Sequence, residues 1–558
     1  MSAAQDSQEV RMPATAASVG SIVNSVNWGD QIGIEQVRGA PFRMYTHRPR
    51  RLTEVLELAH SWAQRTYLVQ GEREVSFDAL LGSVVRKATT LAESGVSAGD
   101  RVLMHGWNSP DWVINFWACQ YLRAVPALAN AWWSKAEVAD ALALVEPKTT
   151  LADPRCATSL PPKAKRAIWE LDMTQSGNGA TAAPSDGDES DAAVIIFTSG
   201  TAGKPKAVEL SHRSLLANLQ MLLQVTHRLP HEVDENSGEV VLHTGPLFHV
   251  GGPQMLLRSV VVGHTVIMPS GRFDAGEVLA LIERHKIARW AAVPTMVTRV
   301  LDHPDLHKRD LSSLRALTTG GAPIHPEMLE RVRQEFPGVR TGVPTGYGLT
   351  ENCGQATAAS GRDTLNHPGS AGRPLPLVEI GFEPHQDLPD PEVLIRSATQ
   401  MTRYIGLDES PIDSEGWLHT GDLGHFDEDG RLWITGRAKD LIIRGGENIA
   451  PAAVERALIA VPGVTEAAVV GIPHPEYGEE VCAFVVTDGT HTSETLTERL
   501  KGQLASFAIP SVWYLRRERL PTNQTEKVDK PALREHAIAE RGAGSRSTSL
   551  GRAGRDST

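Results

Sequence analysis

Hydrophobic and polar positions alternate in two periods along the chain. In Phe77 to Ser94 the apolar residues recur at intervals of three and four, which predicts an amphipathic helix. Gly95 and the turn residues Ser97 to Asp100 stop it before a short apolar strand, Arg101 to His105. This order repeats from about Arg51 to Asp153, so an α/β fold with largely parallel strands is expected. Asp172 to Asp191 lacks large apolar side chains and reads as a surface loop entering a buried strand, Ala192 to Phe197. The α/β pattern resumes from Val240 to about Ala398, and Gly416 to Arg444 is strand-like with turn signals, as at a domain boundary. Ala450 to about Glu540 has helix and strand patterns enough for a domain of about 100 residues. Residues 1–50 read as a partly flexible N-terminal extension, and the Gly-, Ser- and Arg-rich stretch 541–558 as a disordered tail.

Composition narrows the possibilities. With 558 residues, 41% of them hydrophobic and 22% charged, the chain can bury several cores. Its formal net charge of −12 opposes nucleic acid as the main partner. The four cysteines (Cys119, Cys156, Cys353, Cys482) are far apart, without CxxC, which fits neither a disulfide framework nor a structural zinc site and makes a reducing cytoplasm the default. No run of about eighteen apolar residues suggests a membrane span, and the first twenty residues lack a secretory apolar core.

The strongest local signal is Val194 to Lys206, where an apolar strand runs into Thr198, Ser199, Gly200, Thr201, Gly203 and Lys206. Glycines admit phosphate oxygens to backbone N–H groups, hydroxyls add donors and lysines add charge, so the loop suits a polyphosphate. A Walker loop would need Gly at position 198 and Ser or Thr after Lys204, where Thr198 and Pro205 stand. Taken alone, the segment also fits a plain surface turn after a strand.

Further motifs decide between these readings. Gly346-Tyr347-Gly348-Leu349-Thr350-Glu351, Thr420-Gly421-Asp422, Gly436 to Asp440, Arg444 to Ile449 and Leu520 to Lys530 follow in order. With the phosphate loop they closely resemble the signatures of the adenylate-forming superfamily of acyl-CoA and aryl-CoA synthetases, over about Arg51 to Glu540. The resemblance implies a large N-terminal α/β domain of layered subdomains (51–436), a hinge (437–440) and a small mobile C-terminal α+β domain (441–540). It also implies ATP, Mg²⁺ and coenzyme A.

Residue by residue, the resemblance assigns the loop to the β and γ phosphates, Thr350 to the α-phosphate and Glu351 to Mg²⁺, with Thr201 as a further ligand. Gly320, Gly321 and Ala322 would wall the adenine, and Gly346 and Gly348 would let Tyr347 stack on it. Asp422 would accept both ribose hydroxyls, and Arg437 would reach the ribose or a phosphate. Lys527 would bridge the carboxylate and the α-phosphate, and Lys439 would be the pivot of the small domain. After rotation, Gly445 and Gly446 would leave a passage for pantetheine.

Three departures from the superfamily pattern stand out: Ala202, Ala207 and, immediately before Lys527, Glu526 where Gly is usual. A carboxylate there is expected to repel the phosphates by on the order of 1 kcal/mol, so Glu526→Gly is expected to leave adenylation equal or faster. His249 stands where amino-acid-activating relatives carry Asp, which removes the counter-charge for a substrate ammonium and places His249 in or at the acyl pocket. A hydrophobic acid, fatty, alicyclic or aromatic, is then the expected substrate. Trp132 and Trp133 read as core. Loading of a free acyl-carrier protein and a non-catalytic nucleotide-binding relative remain as alternatives, and a homodimer is left open.

Overall fold

The computed structural model describes residue 26 and residues 28–170, 187–199, 205–320, 326–340, 342–384, 390–523 and 526–549. Two sheets dominate the large domain. The first has seven strands, of which Arg101–His105, Val125–Ala129, Thr149–Ala152, Arg166–Ala167 and Ala192–Ser199 run parallel. Every residue of Val125–Ala129 is buried, the pattern of a strand covered on both faces. The second has six strands, in the order Ala316–Thr319, Arg289–Ala292, Val240–His243, Thr265–Ile267, Thr66–Gln70 and Arg73–Ser76. Between them lies the helix Pro110–Leu122, buried on almost every side, and its Trp112, Phe116 and Trp117 join the two sheets in one core. The expected helix over Phe77–Glu93 forms, with the Ser76 hydroxyl accepting from the Ala79 N–H at 3.1 Å.

The segment before Arg51 is not a loose extension where it is described. Ile32–Val37 and Ala40–Tyr45 form a hairpin whose Phe42, Met44 and Tyr45 are buried in the third core, beside the antiparallel sheet Val378–Glu383, Glu392–Ser397, Leu418–Phe426 and Leu432–Arg437. The small domain packs Pro451–Ile459 and Ser493–Leu500 on one face of a five-stranded sheet, and the final helix Lys530–Ser549 on the other. That helix passes Arg541, where the sequence reading begins a disordered tail. The Arg541 guanidinium is tied to Glu480 and donates to the Pro473 carbonyl at 3.4 Å, and extending a helix already nucleated costs little. Residues 550–558 lie outside the described residues.

Among the described residues no helix is long and apolar enough to cross a membrane. Among the described residues the buried apolar clusters fall on one side or the other of residues 437–440, with none spanning both domains.

Candidate active site

A cavity of about 1450 Å³ opens where the two sheets, the antiparallel sheet and the small domain meet. One wall of it is a hairpin. Ala192–Ser199 and Pro205–Ser211 are antiparallel, with Thr198 opposite Lys206, so the hydroxyl-rich loop is a hairpin tip and not the strand-to-helix turn of a Walker loop. Gly200, Thr201 and Gly203 lie outside the described residues, as do Gly321, Ala322 and the Ser199 side chain. Thr198, Lys206 and Gly320 line the cavity.

Thr350 and Glu351 enter it from a single helical turn, Thr350–Asn352. The Tyr404 hydroxyl donates to one Glu351 carboxylate oxygen at 2.7 Å, and the Tyr404 ring lies 4.8 Å beneath the Lys206 ammonium. Sequence reasoning missed Tyr404, since nothing in its neighbourhood marks it. Its contacts hold the lysine of the phosphate hairpin and the acid of the Thr-Glu turn side by side.

Gly346 and Gly348 are needed for close approach, because a Cβ on either would run into the carbonyl of Thr357 or Gly354. The Tyr347 N–H donates to Thr357 Oγ1 at 3.1 Å and its hydroxyl to Asp422 Oδ2 at 2.6 Å. Burial and the adjoining carboxylate push the Tyr347 phenol well above its ordinary pKa, so it stays a donor. Asp422 also accepts from Arg437 Nε at 2.5 Å and is only 3% exposed. Asp422 and Tyr347 therefore stand behind the wall formed by Thr420, Gly421 and Arg437, engaged with one another.

Lys527 reaches the cavity from the small domain, and Lys439 lines it from the turn Ala438–Asp440. Desolvation by the surrounding protein, followed by the Arg437 charge, lowers the Lys527 pKa. His249 lines the cavity as well. Burial, then Lys527, pushes it down to about 4, which keeps the imidazole neutral, and its Nε2 has no hydrogen-bond partner. Trp133 also lines the cavity, edge-on to Phe197 at 4.9 Å, so that member of the tryptophan pair is wall as well as core. Gly445 and Gly446, at φ +59° and +91°, turn between Ile442–Arg444 and Glu447–Ile449 and are not brought to the cavity.

Glu526 does not line the cavity. Its carboxylate pairs with Arg299 at 2.6 Å on the helix Pro294–Leu301 of the large domain, and Thr295 Oγ1 donates to its backbone carbonyl. Arg299 also donates to Thr522 Oγ1 at 3.2 Å. The expectation of a weakened motif gives way to a docked one: the residue before Lys527 fastens the lysine loop to the large domain. Glu526 keeps the left-handed backbone, φ +62°, that a glycine would adopt there more cheaply.

Hydroxyls, ammonium groups and a carboxylate converging on one cavity between a large α/β domain and a small one define a nucleotide-using, two-domain enzyme. Residues 56–405 match the AMP-binding enzyme family and residues 453–527 its C-terminal domain, and the chain belongs to that family. It is an acid–thiol ligase of the AMP-forming acyl-CoA synthetase class. It is 32% identical over 480 residues to 2-succinylbenzoate–CoA ligase of Bacillus licheniformis, covering 84% of this chain and 96% of that protein. To indoleacetate–CoA ligase of Aromatoleum aromaticum it is 32% identical over 494 residues, 83% and 93% of the two chains. The solved o-succinylbenzoate CoA synthetase of Bacillus subtilis with its acyl-adenylate superposes with a TM-score of 0.73 at 28% identity, over 86% and 97% of the chains. ATP-bound MatB of Rhodopseudomonas palustris gives 0.75 at 27% identity, over 87% and 99%.

Proposed function

We propose that the enzyme activates a hydrophobic carboxylic acid with ATP and passes the acyl group to coenzyme A. In the first step a carboxylate oxygen attacks the α-phosphorus, the bond to the β-phosphate oxygen breaks, and pyrophosphate leaves. In the second the thiol sulfur attacks the acyl carbonyl carbon, AMP leaves with the carbon–oxygen bonding pair, and the thiol proton is released. The observation that carries this reading is the convergence of Lys206, Thr350, Glu351 and Lys527 on one cavity from both domains. Charge spreads over phosphoryl oxygens during the transfer, and preorganised cations and hydroxyls stabilise it there.

Glu351 fits a magnesium site, since only one of its oxygens is engaged by Tyr404. The ion, held there with the phosphates, would neutralise part of their charge. Asp422 and Arg437 would orient the ribose, with Tyr347 giving up its bond to Asp422 as the nucleotide enters. His249, uncharged, suits an apolar acid beside it.

Pyrophosphate release across a panel of fatty, alicyclic and aromatic acids, with and without coenzyme A, tests the proposal. Release with at least one acid and a thioester product only with coenzyme A is the expected result. Release without thioester would transfer the second step to a carrier-protein thiol, and no release with any acid would remove the ligase reading.

The second step requires Gly445 and Gly446 to reach the cavity by rotation at Lys439. Lys439→Pro fixes φ near about −65° at that residue and hinders the rotation. Adenylation is expected to fall less than thioester formation, measured as separate half-reactions under rapid quench. Equal rates to the unaltered enzyme in both would take the pivot away from Lys439.

A further inference from the structure

Beyond His249 the cavity continues as a channel between one face of the helix Gly251–Val262 and one face of the six-stranded sheet. On the helix, Gly251, Met255, Arg258 and Ser259 follow the three-and-four spacing of a single face, and all line the channel. On the sheet, Val241 lies opposite Arg289 and His243 opposite Ala291, so these four share a face, and all four line the cavity. From Gly251 to Ser259 the helix rises about 12 Å along this face.

The near half is apolar or small. The far end is not. Arg258, His264 and Arg289 line it, and the one carboxylate there, Glu239, is engaged by both Arg289 and Arg315. Arg258 is half-buried and, among the described residues, has no carboxylate within ion-pair distance; its one hydrogen bond, to Thr226 Oγ1, is long at 3.4 Å. His264 Nδ1 accepts the Glu239 N–H at 3.0 Å, and burial with Arg258 beyond it holds the ring neutral, so the proton sits on Nε2 as a donor. Midway, His243 is 7% exposed, and its Nε2 has no partner. The channel thus ends in a surplus of donors.

We propose that this end is a subsite for an oxygen acceptor, a carboxylate or a carbonyl, carried by the acid at the end of its body remote from the carboxyl that is activated. The inference rests on the ligase reading and specifies its substrate: a hydrophobic body with a polar far end, not a plain hydrocarbon tail. A tail ending in methyl would cover Arg258 without giving it an acceptor, and leaving such a donor unpaired costs about 1–3 kcal/mol, or roughly ten- to a hundredfold in selectivity.

The test compares kcat/KM for pyrophosphate release with three acids of matched length: an α,ω-dicarboxylic acid, the corresponding ω-oxo acid and the plain monocarboxylic acid. The unaltered enzyme is expected to favour at least one oxygen-ended acid over the plain one by tenfold or more. Arg258→Met, which keeps length and apolar volume, should bring that ratio to about one through loss on the oxygen-ended acid, with the thermal midpoint unchanged. Preference for the dicarboxylic acid alone identifies an anionic acceptor, and equal preference for the oxo acid a neutral one; both support the subsite. Equal turnover of all three by the unaltered enzyme, or a preference that survives Arg258→Met, overturns it and leaves the ligase reading standing. No release with any acid overturns both.

Discussion

Lys527→Ala abolishes the first half-reaction while sparing the second. Its ammonium is the positive charge that the small domain delivers into the cavity, beside Arg437 and within reach of the acyl side where His249 stands. Removing one preorganised donor to a developing charge costs on the order of 10²–10³ in rate. Thioester formation from chemically supplied acyl-adenylate should stay within a few-fold, because in the two-step reading proposed above that step follows rotation of the small domain, which carries Lys527 out of the cavity. The lysine acts as the ammonium, and desolvation with Arg437 lowers its pKa. Adenylation is therefore full below that pKa and declines as pH rises through it, earlier than an ordinary lysine would allow. A pH profile of pyrophosphate exchange checks the limb, and Lys527→Ala should remove it. Equal loss of both half-reactions in a folded variant would take the role from Lys527.

Breaking the Glu526–Arg299 pair slows adenylation. The pair closes the small domain on the large one at 2.6 Å, with the two side chains 20% and 32% exposed, so solvent screens it only in part. Glu526→Gln keeps shape and backbone but removes the charge; at about 1 kcal/mol for such a pair the rate should fall roughly fivefold. Thioester formation should be unchanged or faster, since that state must break the contact. Glu526→Gly is expected to lose less, because glycine relieves a left-handed backbone that costs a glutamate about 1 kcal/mol. By these magnitudes Glu526→Gly stays close to the unaltered rate, as the motif alone suggests, but because backbone relief offsets a lost ion pair and not because a repulsive charge is removed. The exchange Arg299→Glu with Glu526→Arg should recover most of the rate lost by Arg299→Glu, whereas adenylation undisturbed by Glu526→Gln at low ionic strength would show that the contact does not matter.

The two results divide what the sequence makes legible from what it hides. The parallel α/β pattern and the helix Phe77–Glu93 show plainly because their periodicity is local. The phosphate hairpin, the Thr350–Glu351 turn and Lys527 can be read because each is a contiguous motif. Arg299 and Glu526 lie 227 residues apart in a contact that only docking of two domains creates, and no local pattern announces it. Tyr404 is hidden for the same reason: its partners Lys206 and Glu351 come from separate elements. The hairpin at Ile32–Tyr45 escapes notice because its turn is Arg38-Gly39, a weak signal beside Asn-Gly, although both residues take positive φ. The channel behind His249 is invisible until helix and sheet periods are brought face to face.

Among the described residues, the two domains share ion pairs but no buried apolar cluster. Besides Glu526 and Arg299, Asp302 is held by Arg331 of its own domain and by Arg519 of the small one. Swinging the small domain away therefore exposes little oil to water. Heat capacity on opening follows apolar exposure, about +0.45 cal/K/mol for each Å², and so should be close to nil. The balance between the two domain arrangements we propose should accordingly follow a straight van 't Hoff line, one enthalpy serving at every temperature, so that equilibrium constants measured at a few temperatures extrapolate to the others.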